Sequence, residues 1–340
     1  MTEILEQLRA RAAGAGSTVV LPEALDTRTL QAATQAVRTN LCHPQLVGDP
    51  DAIRGVAEEA SSNLSDIDLS GIEILDPKAD PRIDQLETIL DDLLQTRQMP
   101  APAPVAELVR DPLYYAGLQV YCGDADGAVM GAVATTADTL RAALRTVGVD
   151  PRYKVVTSCF LMSFPDKGEG ERNLVYADCG VIPEPNAEQL ADITMQAADA
   201  YQTLTGDTPR VALLAFSTLG SAKWAGLDKI RDAVRLLGER NVTFAFDGEL
   251  QGDAALVPEV AARKAPDSSV AGQANVLVFP DLNSGNIAYK LSERLAGARA
   301  IGPLLCGLDR PIHDLSRGCS AEDIVDTMAI TALEAARRRT

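Results

Sequence analysis

Hydrophobic residues occur in short aliphatic runs that alternate with longer amphipathic segments along the chain. The run Ser17–Leu21 predicts a buried strand, and Thr27–Arg38 predicts the helix that follows it. Gln45–Gly48 predicts a second strand, and apolar residues at helical spacing predict a helix over Ile83–Gln98. Strands and helices in alternation are typical of parallel sheets joined by crossover helices. The pattern therefore predicts an α/β fold.

At 340 residues, the chain exceeds what one hydrophobic core normally serves, so we expect two domains. Residues 1–148 and 297–340 are predicted to form a discontinuous first α/β domain, and residues 149–296 a second. The strand Ala300–Leu305 and the helix Ala321–Arg338 would return to complete the first domain. Each domain is expected to be a doubly wound, three-layer α/β/α unit, with the ligand in a cleft between them. The second domain's strands are predicted at Val155–Phe164, Leu174–Asp178, Val211–Phe216, Val242–Asp247 and Val276–Phe279.

The amino-acid composition limits the kinds of partner that the protein is expected to bind. Apolar residues make up 46% of the chain and aromatic residues only 4%, which predicts an aliphatic core. The formal charge of -17 argues against nucleic acid or an anionic membrane as a partner, because both require a basic surface. An acidic protein can still bind anionic metabolites, but it must do so through local arginines. Neither a signal peptide nor a membrane span is evident near the N-terminus.

The cysteines and histidines carry little signal of their own. None of the six cysteines forms a CxxC pair, so a reducing cytoplasm is the expected location. The two histidines are His43 and His313, and we expect His313 to be structural rather than catalytic. No metal-ligand spacing is present, and the usual dinucleotide, nucleoside-triphosphate and hydrolase-serine motifs are absent.

The most informative segment is Asp314-Leu-Ser-Arg-Gly-Cys-Ser320, with Asp323 at the start of the helix that follows. A carboxylate can accept a proton, an arginine can bind a phosphate through two contacts, and a serine can donate to a carbonyl oxygen that gains charge during acyl transfer. Ser316, Arg317 and Asp323 could therefore handle an acyl phosphate and a thiol. The alternative is structural, because Ser320 and Asp323 also fit a helix-capping pattern.

Two further segments follow predicted strands. After Ala125–Gly131, small residues lead to Thr135 and Thr136 at a helix start, with Arg141 one turn later. Free amides at such a start favour phosphate, although a simple cap at Thr136 is the alternative. The segment Asp281–Lys290 has a similar design. Its candidate ligand-facing residues are Asn286, Tyr289 and Lys290.

With these segments the chain resembles the phosphate acetyltransferase (phosphotransacetylase) family. The resemblance runs nearly from end to end and includes several ordered blocks. Those blocks are Val19–Glu23, Asp111–Ala116, Asp126–Arg141, Phe216–Thr218, Asp247–Gln251, Asp253–Pro258, Val276–Lys290 and Asp314–Ser320.

The resemblance implies a two-domain subunit similar in fold to isocitrate and isopropylmalate dehydrogenases, and a homodimer. It implies exchange of an acetyl group between acetyl-CoA and phosphate, giving coenzyme A and acetyl phosphate. The family's serine, arginine and aspartate fall on Ser316, Arg317 and Asp323, and two further substrate-binding arginines fall on Arg141 and Arg97. The neighbouring Cys319 is not expected to be a nucleophile.

The chain departs from the family pattern near this helix start. Family members commonly have Arg-Pro where this chain has Arg141-Ala142, and often a serine in place of Met130. These differences bear on helix geometry and acyl preference more than on activity. A phosphate butyryltransferase, which shares these motifs, and a non-catalytic acetyl-CoA sensing module remain alternatives, although the retention of Ser316, Arg317 and Asp323 weighs against the second.

In the expected mechanism, Asp323 removes the coenzyme A thiol proton, and the thiolate attacks acetyl phosphate directly. From ordinary pKa values, full proton transfer from a thiol to an aspartate is uphill by about 6 kcal/mol. Burial of Asp323 and cations near the thiol are expected to reduce this gap. We expect no obligatory cofactor and no metal, with stimulation by a monovalent cation left open.

Overall fold

The computed structural model describes residues 2–62, 66–165, 168 and 170–339. Contacts between residues divide the chain into two compact units. The split unit comprises Leu5–Asp150 with Leu308–Thr340, and the central unit comprises Pro151–Gly307 with Met1–Ile4.

Helices and strands alternate through most of the described chain. The helices are α1 (Glu3–Ala13), α2 (Thr27–Arg38), α3 (Pro50–Ser62), α4 (Ile83–Thr96), α5 (Val105–Leu108), α6 (Pro112–Cys122), α7 (Thr136–Thr146), α8 (Ala187–Thr205), α9 (Asp228–Glu239), α10 (Gly252–Leu256), α11 (Pro258–Lys264), α12 (Leu282–Ala296) and α13 (Ala321–Arg339). The strands are β1 (Thr18–Leu21), β2 (His43–Val47), β3 (Glu73–Leu75), β4 (Gly127–Met130), β5 (Thr157–Phe164), β6 (Arg172–Ala177), β7 (Arg210–Leu214), β8 (Ala245–Leu250), β9 (Val276–Val278), β10 (Arg299–Cys306) and β11 (Ile312–Asp314).

The split unit is built on a parallel sheet in the order β11-β4-β1-β2-β3. Strand β4 is buried at every position, and β1 at three of its four, as expected when helices cover both faces. Helix α13 packs with α2 and contacts β1, β4 and β11, while α6 packs with α7 and contacts β1, β2 and β4. The α/β fold predicted from the sequence is confirmed here.

Local sequence signals set the ends of several helices. Asp111 caps α6 by accepting the amides of Leu113 and Tyr114, and Pro112 occupies the first turn, where its missing N–H is not needed. The same helix ends at Gly123, whose φ of 83° lies in the left-handed region that favours glycine.

The central unit contains a six-stranded sheet in the order β10-β5-β6-β9-β7-β8. Strands β6, β7, β8 and β9 pair in parallel, but β5 is antiparallel to both β6 and β10. The parallel pairing that the alternating pattern predicts therefore does not extend to this edge. Only a short connection separates β5 from β6, and a parallel crossover requires a dozen or more residues.

The strand predicted at Ala300–Leu305 lies in the central unit, not in the discontinuous domain to which the sequence pattern assigned it. As β10, it pairs with β5 from Arg299 opposite Ser163 to Cys306 opposite Thr157. The chain returns to the split unit only at Leu308. Hydrophobic pattern locates a strand but not its hydrogen-bonding partner, which explains the error.

The core is mainly aliphatic, as the composition predicts. Most of the largest fully buried side chains are leucine or isoleucine. Tyr115 is the aromatic among them, and its hydroxyl donates to Asp80 at 2.6 Å. A buried tyrosine is tolerated here because its polar end has a partner.

Candidate active site

Three loops in the split unit leave the same edge of the sheet. The strands β11, β4 and β1 are parallel neighbours in that order, so their carboxyl ends lie side by side. The loops that follow them contain residues 315–320, 131–135 and 22–26. Ligands of parallel α/β sheets bind at this edge, so the candidate site is placed by topology.

The loop after β11 exposes the serine and arginine of the predicted motif. Ser316 and Arg317 are both exposed, and a tight turn follows, in which the Cys319 amide donates to the Ser316 carbonyl at 2.8 Å. The Ser316 hydroxyl oxygen accepts the Gly318 amide at 3.3 Å. Among the described residues, the Arg317 guanidinium forms no ion pair with Asp323. Which substrate group each charge serves stays a prediction.

Asp323 lies in the first turn of α13 and belongs to a reciprocal cap. Its Oδ2 accepts the Ser320 amide at 2.9 Å and the Ser320 hydroxyl at 2.8 Å, while the Asp323 amide donates back to the Ser320 hydroxyl oxygen at 3.2 Å. The capping alternative raised from the sequence is therefore real. The cap holds the Asp323 carboxylate in place a few residues after Ser316 and Arg317. A carboxylate held in this way can still accept a proton.

Arg28, at the start of α2, joins all three loops. Its guanidinium donates to the carbonyls of Arg317, Cys319 and Ala132, each at 2.8 Å. Asp26 holds this guanidinium through both carboxylate oxygens, at 2.8 and 2.9 Å. Arg28 thus fixes the backbone of the Ser316 loop relative to the loop after β4.

The loop after β4 presents three consecutive amides, but an internal carboxylate already occupies them. Glu23 accepts the N–H groups of Ala132 at 2.7 Å, Val133 at 2.9 Å and Ala134 at 2.6 Å. These three amides precede the start of α7, where the sequence predicts free amides for a phosphate, and they are already occupied. Successive amides form a concave anion site, and here the anion comes from the protein itself.

The start of α7 is capped by Thr135 rather than by Thr136. The Thr135 hydroxyl oxygen accepts the Asp138 amide at 3.2 Å, and its hydroxyl donates to the Asp138 carboxylate at 2.7 Å. Thr136 is the first helical residue and is exposed. Substrate contacts by Thr135 and Thr136 stay predictions.

The two predicted substrate arginines have internal partners. Arg141 pairs with Asp138 one turn earlier in α7, and both side chains are partly exposed. Arg97 donates to the carbonyls of Leu144, Thr146 and Val147 at 2.7–3.0 Å, at the end of the same helix. These contacts support a helix-capping role for Arg97, and its direct contact with substrate stays a prediction.

The three candidates on α12 belong to the central unit and have different surroundings. Asn286 donates from its amide to the Cys179 carbonyl at 3.1 Å, just beyond the end of β6. Tyr289 stacks on Phe160 with ring centroids 4.1 Å apart, against the hydrophobic core. Lys290 is exposed, with its ammonium 5.1 Å from the Tyr289 ring centre. Tyr289 is therefore largely a packing residue, because its ring contacts another aromatic ring.

Asp314 is a buried acid beside the exposed motif. Its side chain is 1% exposed, and within the described chain neither carboxylate oxygen has a hydrogen-bond partner. Burial raises the pKa of Asp314, and the negative charge of Glu23 adds to the rise. The hydroxyls of Thr136 and Thr139 and the Leu315 amide lie near the carboxyl outside hydrogen-bond geometry, and they oppose the rise without outweighing burial. Such a group is costly in its charged form.

The neighbouring cysteine and histidine have structural surroundings. Burial raises the pKa of the Cys319 thiol, which disfavours the thiolate and agrees with the expectation that it is not a nucleophile. His313 is fully buried in β11, with Nε2 3.3 Å from the carboxylate of Glu334 on α13. This contact supports the structural role expected for His313.

The described residues form neither a metal-binding cluster nor a membrane-spanning helix. That part of the chain brings together no group of three or more histidine, cysteine, aspartate or glutamate side chains able to hold a metal ion. None of its helices is long and apolar enough to cross a membrane.

Sequence reasoning missed Glu23, Asp26, Arg28 and the burial of Asp314. In the sequence pattern, Glu23 stands only as the end of the block Val19–Glu23, Arg28 lies inside the predicted helix Thr27–Arg38, and Asp26 precedes that helix. The strand order could have revealed them, because the loop after β1 must meet the loop after β4 when the two strands are neighbours. The order of strands is set by long-range pairing, which a single sequence does not display.

Comparison with known proteins identifies the family. The model of the phosphate acetyl/butaryl transferase family matches residues 3–332. This chain belongs to that family.

Relatives named phosphate acetyltransferase match almost the whole chain. A phosphate acetyltransferase of Acetivibrio thermocellus is 45% identical over 332 residues, covering 97% of this chain and 98% of the relative. A phosphate acetyltransferase of Thermoanaerobacterium thermosaccharolyticum is 44% identical over 333 residues, with coverage of 98% and 99%.

Solved structures agree with the fold. A phosphotransacetylase from Streptococcus pyogenes has a TM-score of 0.90 and 37% identity, covering 98% of this chain and 99% of that one. A 4-hydroxythreonine-4-phosphate dehydrogenase from Klebsiella pneumoniae has a TM-score of 0.52 at 11% identity, covering 94% of this chain and 99% of that one. The second likeness shows fold alone, and it agrees with the dehydrogenase-like architecture predicted from the sequence.

Proposed function

We propose that this chain is a phosphate acetyltransferase, which catalyses the reversible conversion of acetyl-CoA and phosphate into coenzyme A and acetyl phosphate. The family match over residues 3–332 carries this proposal. It is supported by the presence of Ser316, Arg317 and Asp323 in one exposed turn and helix start at the ligand edge of a parallel sheet.

In the proposed mechanism the acetyl group passes directly between substrates. Asp323 accepts the thiol proton, the thiolate sulfur bonds to the carbonyl carbon of acetyl phosphate, and the bond from that carbon to the phosphate oxygen breaks. Ser316 donates to the carbonyl oxygen as its negative charge develops, and Arg317 binds the departing phosphate. The Arg317 charge also favours the thiolate over the thiol.

The structure suggests how these groups are held for the reaction. Ser320 fixes the Asp323 carboxylate, and Arg28 fixes the backbone on either side of Gly318. Fixed donors and acceptors need no reorganisation as charge develops in the transition state. Ser316 and Arg317 keep exposed side chains, which suits groups that meet a diffusing substrate.

The first test is an activity assay on the purified protein. We expect phosphate-dependent formation of acetyl phosphate from acetyl-CoA, and arsenate-dependent loss of acetyl-CoA. Absence of both activities, with acetyl-CoA still bound, would instead favour the sensing-module alternative.

The second test isolates the proton-transfer role. Asp323→Asn retains a side-chain oxygen that can accept from Ser320, so the helix cap is largely kept while the base is lost. We expect turnover to fall by about 1,000-fold with little change in substrate saturation. Glu322→Gln is the control, since it removes a charge from the adjacent position in the same turn. Near-normal turnover in Asp323→Asn would refute the general-base role.

The family description names both acetyl and butyryl transfer, so the acyl range needs its own measurement. We infer acetyl preference because the relatives reported above are phosphate acetyltransferases. Rates with acetyl phosphate and butyryl phosphate should differ in favour of acetyl. A faster butyryl rate would support the butyryltransferase alternative.

We also infer a homodimer. Helix α12 carries three exposed apolar side chains spaced four residues apart, Ile287, Leu291 and Leu295, and such a stripe favours burial against another surface. Light scattering after size-exclusion chromatography should give twice the chain mass of 36.0 kDa.

The remaining expectations concern cofactors and location. We propose that no cofactor is obligatory, so activity should survive EDTA, and that a monovalent cation stimulates it. The six free cysteines of the described chain favour a reducing cytoplasm.

A further inference from the structure

The carboxylate of Glu23 lies in the position of an anionic ligand. It accepts three consecutive backbone amides, from Ala132 to Ala134, at 2.6–2.9 Å. The residue that follows these amides is Thr135, the cap of α7. Hydrogen bonds from amides to an ionised carboxylate are stronger than neutral ones, so three together define the path of this loop.

The same loop is held from its other side. The carbonyl of Ala132 accepts from Arg28, whose guanidinium also binds the carbonyls of Arg317 and Cys319. Glu23 holds the amide side of the loop, and Arg28 links its carbonyl side to the Ser316 loop. A displacement of residues 132–134 would therefore move both the start of α7 and the backbone beside Arg317.

We propose that Glu23 is a positioning residue for coenzyme A binding, which acts through the loop at residues 132–134 without touching substrate. The proposal rests on the phosphate acetyltransferase function proposed above. Glu23 already occupies the three amides of residues 132–134, so these amides do not bind the substrate's phosphates. The phosphates must instead contact side chains that come later in the chain, and Arg141 in α7 is the candidate. The carboxylate thereby fixes where α7 begins and where Arg141 is presented.

Removing the carboxylate and then supplying a small replacement tests this idea. In Glu23→Ala, we expect the KM for coenzyme A to rise about tenfold, the loss expected for about one charge-assisted hydrogen bond, with a smaller change in kcat. Formate should then lower the KM towards the wild-type value, because it is a carboxylate small enough to occupy three converging amides. Glu6→Ala is the control, since Glu6 is an exposed glutamate of the same unit. Formate should leave this control unchanged.

Conservative variants keep the test decisive if Glu23→Ala does not fold. Glu23→Gln retains one acceptor oxygen without the charge, and Glu23→Asp retains the charge on a shorter side chain. Both variants should show the KM increase. Formate should have no effect on Glu23→Gln, because its side-chain amide still occupies the three backbone amides of residues 132–134. An unchanged KM for coenzyme A in whichever of the three variants folds would overturn the proposal. A KM increase in Glu23→Ala that formate does not reverse would overturn it as well.

Hydrogen–deuterium exchange separates this proposal from the proposed function. Amide protection at residues 132–134 should fall in Glu23→Ala and recover with formate, whether or not the wild-type protein transfers acetyl groups. Inactive wild-type protein with these exchange changes would refute the function and keep the loop contact. Active wild-type protein with unchanged exchange in the variant would refute the role of Glu23 alone.

Discussion

The carboxyl group of Asp314 lies against the backbone of Gly131, leaving no space for a side chain there. A β-carbon placed on Gly131 would lie 2.2 Å from Asp314 Oδ1, and the glycine has a φ of 96°. Both features require glycine at this position. The close approach also helps explain why the acid is shielded from water at the end of β11.

Asp314→Asn should stabilise the protein above acidic pH. The pKa of Asp314 is raised from about 3.8 by burial, so the folded state binds this proton more tightly than the unfolded state. The wild-type protein must therefore lose stability as pH rises from about 4 through the raised pKa. The neutral variant avoids this cost, and we expect a gain of about 1–3 kcal/mol at pH 8.

Calorimetric melting of both proteins from pH 4 to pH 8 would measure the effect. The difference in stability between Asp314→Asn and the wild type should grow as the pH rises. The control is Asp84→Asn, a change on the exposed face of α4, and its stability should follow that of the wild type at every pH. A variant that is less stable than the wild type at pH 8 would show that the charged acid has a favourable partner.

Arg97→Gln should weaken both the fold and coenzyme A binding. The guanidinium holds three carbonyls at the end of α7, and α7 carries Arg141. Losing these hydrogen bonds should cost about 1–2 kcal/mol of unfolding free energy and raise the KM for coenzyme A several-fold. Urea unfolding would measure the free energy of unfolding, and steady-state kinetics on the same preparation would measure the KM for coenzyme A. A raised KM with unchanged stability would instead indicate direct contact between Arg97 and the substrate.

Arg141→Gln should raise the KM for coenzyme A about tenfold and leave kcat within about twofold, as expected for a charged group that binds substrate and transition state equally. Asp138→Asn is the matched comparison, because it removes the ion-pair partner of Arg141 and keeps the guanidinium. This second variant should bind coenzyme A at least as well as the wild type. Equal KM values for Arg141→Gln and the wild type would remove Arg141 from the site.

Glu249→Gln should destabilise the protein at neutral pH. Burial opposes ionisation of Glu249, but hydrogen bonds from Arg231, the Gly220 amide and Ser217 outweigh it and lower its pKa to about 2. The ionised group therefore contributes stability above about pH 4.5, and that contribution is lost as pH falls towards about 2. Arg231 is partly exposed, so we expect a loss of about 1–3 kcal/mol at pH 7.

Urea unfolding at pH 7 and at pH 3 would measure the loss of unfolding free energy in Glu249→Gln and the direction in which that loss changes with pH. The difference between Glu249→Gln and the wild type should shrink at the lower pH. Glu239→Gln removes one member of an exposed ion pair with Arg235, and it should change stability by less than about 0.5 kcal/mol. Equal losses for the two variants would mean that burial adds nothing to the Glu249 pair.

The elements with strong periodicity were predictable from the sequence, whereas pairing between distant segments was not. Helix α2 begins and ends at the predicted residues, Thr27 and Arg38, because its buried face and its Asp26 cap are both local signals. Strand β10 was located correctly, but its antiparallel pairing with β5 joins segments more than 130 residues apart. Local pattern contains no record of such a pairing.

In the candidate site, too, some residues could be predicted from the local sequence and others could not. The exposed motif at Ser316 and Arg317 was visible because its residue types are chemically unusual together. Glu23 was not, because its role depends on amides more than 100 residues away in the chain. Free amides were predicted only at the start of the next helix, and only the fold reveals that a carboxylate holds the amides of the loop before it.

The discontinuity of the split unit has a consequence for protein synthesis. Strand β4 and its neighbour β11 are separated in the chain by the whole stretch Pro151–Gly307, whose six strands can pair among themselves. While the ribosome makes that stretch, one edge of β4 has no partner, although every residue of this strand is buried in the finished fold. A nascent chain at this stage therefore presents an open, apolar sheet edge that chaperones would be expected to bind, until Ile312–Asp314 emerges and closes it.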